Sequence, residues 1–101
     1  MIFSIKFINL KIEQSNFEYI KTKLIELNNE CIVHDCNTEG GFTIQLKPID
    51  YKVKGRIQIQ ATYDNSNIIV IAIEKEFQTQ WSLEKMDYLV KELQTLDQSI
   101  K

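Results

Sequence analysis

Cys31, His34, Asp35 and Cys36 lie within six residues of one another, and no other stretch of the chain gathers as many metal-ligating or nucleophilic types. Cysteine and histidine together suggest zinc, and a thiol beside an imidazole suggests a nucleophile and its base. The spacing argues against both. In an extended segment alternate residues share a face, so His34 and Cys36 point one way and Cys31 the other. Structural zinc needs four converging ligands, and the chain has one histidine and two cysteines. A catalytic thiol also needs an orienting group and an oxyanion hole. We therefore expect no metal, no cofactor, no catalytic residues and no disulfide here, only a short strand with one buried thiol and one surface imidazole. The nucleophile elbow, the phosphate loop and the dinucleotide fingerprint are all missing from the sequence. The acidic residues fall mainly on helix outer faces or in turns, with Glu74 and Glu76 at a strand end. The reading is a protein that is not an enzyme.

Two other surfaces have the composition to bind something. Between residues 42 and 63, Lys47, Lys52, Lys54 and Arg56 face one acid, Asp50, a net of +3 in a chain whose total is −2. Gln58 and its neighbours Thr43, Gln45, Gln60 and Thr62 add hydrogen-bonding groups. Such a sheet face can track a nucleic-acid backbone, although it lacks the aromatic platforms that single-strand binders use. The plainer reading is a solvated outer face. The second surface is the run Ile68–Ile73, apolar on both parities. A strand without a polar face needs cover on both sides. If helices cover one parity, then Ile68, Val70 and Ala72, or their neighbours Ile69, Ile71 and Ile73, call for a partner or a curled sheet. Trp81, just before the last helix, fits either an interface anchor or the packing of the helix entry.

The elements that position these groups follow from periodicity. Residues 2–12 alternate as a strand, with Phe3, Ile5 and Phe7 on one parity and Ile8, Leu10 and Ile12 on the other, which predicts a bulge near Phe7–Ile8. Ser15 and Glu18 form a capping box before a helix over about 16–28, with Phe17, Ile20, Leu24 and Leu27 on its apolar face. Asn28–Asn29 ends that helix through the left-handed conformation that Asn tolerates. A strand over 31–36, a turn at 37–41 and a strand from Phe42 to Lys47 make a hairpin. Alternation from Val53 to Thr62 gives the next strand, with Val53, Gly55, Ile57, Ile59 and Ala61 on one face and Lys54, Arg56, Gln58, Gln60 and Thr62 on the other. Asp64–Asn67 is a turn, and 68–73 the last strand. A helix over about 82–98, capped by Thr79 or Ser82, carries the stripe Leu83, Met86, Leu89, Val90, Leu93 and Leu96, with Asp87, Lys91, Glu92 and Gln94 opposite.

The prediction is one α+β domain over 1–101: a single antiparallel sheet in the order β-α-β-β-β-β-α, with both helices packed on one face. In element order it is similar to the repeats of the TATA-box-binding protein and to the helix-grip fold of START-type lipid carriers. That resemblance implies a fold and no function, since DNA binders and lipid carriers share it.

The chain has 101 residues, 44% hydrophobic and 26% charged, which suits one globular core. No apolar run reaches the length of a membrane span and no basic leader precedes an apolar segment, so a cytoplasmic protein with no membrane partner is expected. Eleven lysines to one arginine, sixteen isoleucines and two alanines point to an AT-rich bacterial or phage genome. The functional expectation is a small non-enzymatic binding protein. Its partner is another protein or a second copy (a homodimer), with an inhibitor or immunity-type protein as one form. The alternatives are nucleic-acid binding through Lys47, Lys52, Lys54, Arg56 and Gln58, and carriage of a small ligand or lipid between the sheet and the last helix.

Overall fold

The computed structural model describes residues 2–9, 16–38, 40–62 and 68–99. Five strands and two helices follow in the expected order: β1 (Ile2–Asn9), α1 (Phe17–Leu27), β2 (Cys31–Thr38), β3 (Gly41–Pro48), β4 (Ile57–Thr62), β5 (Ile68–Glu74) and, after a 3-10 turn at Lys75–Phe77, α2 (Gln80–Ser99). The strands form one antiparallel sheet in the order β1-β5-β4-β3-β2. Strands β2 to β5 are sequential neighbours, and β1 closes against β5.

Period-2 alternation sorts the side chains. Phe42, Ile44 and Leu46 of β3, Ile57, Ile59 and Ala61 of β4, and Ile69, Ile71 and Ile73 of β5 are all buried. They meet Phe17, Ile20 and Leu24 of α1 and Met86, Leu89, Leu93 and Leu96 of α2 in one core. Each of these large side chains stabilises the fold by about 1.5–3 kcal/mol through burial. Both helices therefore lie on the same face, and no helix among the described residues covers the opposite face.

Several local expectations need correction. In β1 the register shift lies between Ile2 and Ser4, not near Phe7–Ile8; from Ser4 to Asn9 the pairing with β5 is continuous. The change of apolar parity is real, but its cause is that Ile5 and Phe7 point to the uncovered face while Ile8 points into the core. Leu10 and Ile12 lie outside the described residues, as does Ser15 of the capping box. Asn16 is the N-cap of α1 and makes no side-chain capping bond. Asn28 does not enter the left-handed region, since its φ is −115°. Its side chain ends the helix instead, with Nδ2 donating to the Leu24 carbonyl at 2.7 Å. Strand β2 runs two residues past Cys36, and the positive φ in the hairpin turn is at Gly40.

Strand β4 begins at Ile57 rather than Val53. The reason is visible at Gly55, which lies under the Trp81 ring: a Cβ there would sit 2.7 Å from Trp81 Cε3 and 3.1 Å from Ser82 Oγ. Ser82 is fully buried and accepts a hydrogen bond from the Arg56 amide at 3.1 Å. Residues 55–56 are thus held by the start of α2 and not by β3. Thr79 caps α2: its Oγ1 accepts from the Ser82 amide at 3.4 Å, and its carbonyl from the Leu83 amide at 3.0 Å. Leu83 leaves the apolar stripe, with 39% of its surface exposed, and Glu92 of the supposed outer face is buried. With Ser82, Lys85, Met86, Leu89, Glu92, Leu93 and Leu96 buried, the inward face of α2 is apolar along most of its length and polar along one flank.

Replacing Ile71 by Ala removes a fully buried side chain and is expected to lower stability by about 2–5 kcal/mol in urea denaturation. Replacing Leu83 by Ser is expected to change it by less than about 0.5 kcal/mol, as at an ordinary surface position. A large loss at Leu83 would restore that residue to the core.

Candidate functional site

The sheet face opposite the core carries no helix among the described residues. On it the register sets Ile5 opposite Ala72, Phe7 opposite Val70 and Asn9 opposite Ile68. Phe7 is 69% exposed and Ile5 is exposed, while Ile68, Val70 and Ala72 are half-buried. Gln60 pairs with Val70 and Gln58 with Ala72 across β4, and Gln45 and Thr43 continue the face on β3. The result is an apolar strip on β1 and β5 beside an amide and hydroxyl strip on β4 and β3. A shallow depression of ≈ 120 Å³ lies where they meet, among Ile5, Gln58, Gln60, Val70 and Ala72, and ends at Arg56 and Glu74. Ligand pockets for drug-sized molecules are typically about 300–1,000 Å³.

The basic residues do not form one stripe. Arg56 lies at the end of this face, where its Nη2 is 3.3 Å from Glu74 Oε2 and its guanidinium carbon is 4.1 Å from the centre of the Phe77 ring. The only arginine is thus paired and stacked. Gln58 stands beside Arg56 on the face. Lys47 lies on β3, and Lys52 and Lys54 lie in the loop beyond it, beside the exposed Ile49, Tyr51 and Val53. Of the residues singled out for a protein interface, Ile68, Val70 and Ala72 come together; Trp81 does not join them, but packs on the helix side against Gly55 and the core. Two members of the strip, Ile5 and Phe7, escaped the sequence reading. Their matched parity with Ile68, Val70 and Ala72 was visible only once β1 was known to pair with β5.

The Cys31–Cys36 strand separates its groups as alternation requires. Cys31 packs against the core, while His34 and Cys36 are exposed. Burial pushes the Cys31 thiol up, which keeps it protonated and weakly nucleophilic. No three His, Cys, Asp or Glu side chains converge as a metal-binding group among the described residues. The space between the sheet and α2 is occupied by side chains: Phe17, Phe42, Ile57, Ile59, Leu89 and Leu93 are all fully buried. No described helix is long and apolar enough to cross a membrane.

A second polar cluster sits at the seam between the helices. Asn28 Nδ2 is 3.3 Å from Glu92 Oε2, and Lys85 Nζ is 2.8 Å from Glu30 Oε1. Lys85 also lies 4.9 Å from the centre of the Tyr88 ring. The other oxygens, Asn28 Oδ1 and Glu92 Oε1, are buried without a hydrogen-bond partner. Burial holds the Glu92 carboxyl above its usual range, and the Glu30 charge adds to this; the Asn28 amide, Lys85 and Tyr88 oppose it. The Lys85 hydrogen bond draws the Glu30 carboxyl below its usual range. Asn28 and Glu92 are a structural joint between α1 and α2, remote from the sheet face.

Comparison with protein-family models, curated proteins and solved structures finds no match for this chain. The likeness to TATA-box-binding-protein repeats and helix-grip folds therefore stands on element order alone.

The Glu92 joint has a pH signature. A carboxyl whose pKa is raised on folding contributes stability in full below its unfolded value, near 4.5, and that contribution is lost as pH rises through the folded value. Glu92→Gln keeps the neutral form at every pH. Urea titrations at stepped pH are expected to show the wild type losing stability relative to Glu92→Gln above about pH 4.5. A constant difference between the two would remove Glu92 as the titrating group.

Proposed function

We propose that this chain is a non-enzymatic protein-binding domain whose contact surface is the uncovered face of the sheet, and that its partner there is a second copy of itself. The observation that carries this is the apolar strip Ile5, Phe7, Ile68, Val70 and Ala72, which spans β1 and β5 with no described helix over it. Contiguous apolar patches on a surface mark interaction sites. The strip itself carries no charged side chain, and at its end Arg56 and Glu74 neutralise each other. Two such faces meet without like-charge repulsion, and Gln58 and Gln60 beside each strip supply the polar rim found around protein contacts. A nucleic acid needs the reverse, a row of free cations on the face, but Arg56 is paired with Glu74, which leaves Lys47 at the end of β3 as the cation on β3 and β4. A carried lipid needs a cavity where the core is filled by Phe17, Phe42 and Leu89.

Sedimentation equilibrium of the wild type from about 1 to 100 μM, a range in which ordinary homodimers assemble, is expected to show a concentration-dependent dimer. Phe7→Glu puts a charge at the centre of the strip, on a side chain exposed enough to leave the fold intact. It is expected to weaken the dimer at least about 30-fold, the scale of an aromatic hot spot. A wild type that stays monomeric at the top of the range, or a Phe7→Glu variant that dimerises normally, rejects the proposal.

A further inference from the structure

The two edges of the sheet are built differently. Strand β1 breaks its register between Ile2 and Ser4 and carries Lys6. A bulge and a lysine are among the devices that keep an edge from accepting another strand. The other edge, β2, pairs with β3 over eight residues, Cys31–Thr38, with no register shift. It contains neither lysine nor proline. Its one carboxylate, Asp35, is 3.3 Å from Lys21 Nζ, which also bonds Asn37 Oδ1 and so is held down from α1. Along its outer side β2 has no partner strand among the described residues.

The end of this edge is apolar and positively charged. Ile32 of β2 sits opposite Lys47 and is exposed. Beyond it the loop presents Ile49 and Tyr51, the latter 89% exposed, followed by Lys52 and Lys54. Lys47, Lys52 and Lys54 form no ion pair among the described residues. Asp50, the acid within the loop, turns its carboxylate to the Lys52 amide at 3.0 Å. A shallow groove runs between Ile32, Ile49, Tyr51 and Val53, rimmed by these lysines.

We infer that β2 accepts an extended acidic segment of a partner protein as a sixth strand, with an apolar side chain of that segment in the groove beside Ile32. Main-chain pairing gives such complexes their affinity and alternate side-chain contacts their specificity. Charge selects the occupant. An antiparallel pair of β2 strands from two copies places each lysine group opposite the far end of its twin, where Asp35 is already paired with Lys21; the lysines stay uncompensated. A single-stranded nucleic acid suits the charge, but it stacks successive bases on several rings; of the two rings in the groove, Phe77 already lies under the Arg56 guanidinium at 4.1 Å, which leaves Tyr51 as a lone platform among aliphatic walls. This surface is separate from the dimer strip and does not depend on it.

A library of random 12-residue peptides displayed on phage, selected against the full chain, tests the inference. Enriched peptides are expected to be acidic with alternating apolar residues. The tightest, made synthetically and followed by fluorescence polarisation, is expected to bind at least about 10-fold more weakly to the triple variant Lys47→Glu, Lys52→Glu, Lys54→Glu, as three exposed charge contacts imply. The three positions are on the surface, and an unchanged melting curve verifies the fold. Amide hydrogen exchange is expected to slow at alternate residues of β2 when the peptide is added, and Phe7→Glu is expected to bind the peptide as the wild type does. The inference is overturned by no enrichment, by neutral or basic winners, by exchange protection on β1 instead, or by a thymidine 12-mer displacing the peptide at equal concentration.

Discussion

Both helices cover the same side of the sheet, and most of the molecule follows from that asymmetry. A strand under the helices must place every second residue in the core, and β3 and β4 do so with Phe42, Ile44, Leu46, Ile57, Ile59 and Ala61. Their alternate residues are threonine, glutamine and lysine, which solvent accepts. Strands β5 and β1 break this division of labour. Both carry apolar side chains on the side where no described helix lies, and the cost of leaving them exposed is the physical basis of the proposed contact.

The architecture was legible because its signals are local. Period-2 alternation in Phe42–Lys47 and Ile57–Thr62, the turn at Gly40–Gly41 and the 3.6-residue stripe in Met86–Leu96 each need only a few neighbours. What was not legible is what depends on residues far apart in the chain. Val53–Arg56 has the alternation of a strand, yet Trp81 and Ser82, some thirty positions later, claim Gly55 and Arg56 first. Leu83 has the spacing of a core residue but falls beside the buried stripe, which runs through Ser82, Lys85, Met86 and Leu89 instead. Glu92 reads as an outer-face acid until Asn28 is brought beside it. The candidate surface shows the same limit: Ile68, Val70 and Ala72 were apparent from a strand apolar on both parities, whereas Ile5 and Phe7 belong with them only through the pairing of β1 with β5.

The single arginine shows how tertiary context reassigns a charge. In the sequence Arg56 belongs to a basic run. In the fold it bridges three elements: its amide bonds Ser82 of α2, its guanidinium pairs with Glu74 at the end of β5, and its plane lies over Phe77 in the following turn. A guanidinium can hold an ion pair and a ring contact together because it is flat and delocalised, and an ammonium at that site makes only one of them well. Lys54, 5.9 Å from the same ring, is the weaker second cation there.

The pairing of β1 with β5 also orders assembly in time. Strands β2 to β5 are joined by short connections and each finds its neighbour locally, but Ile5 meets Ala72 only after α1, β2, β3 and β4 have been made. Contacts of such long sequence separation form late and set the pace of folding. During synthesis β1 leaves the ribosome well before β5 and waits, with Ile5 and Phe7 unshielded, for a strand that does not yet exist. Lys6 and the irregular start of β1 then act on the nascent chain as much as on the finished protein, since they discourage the waiting strand from pairing with a neighbouring chain.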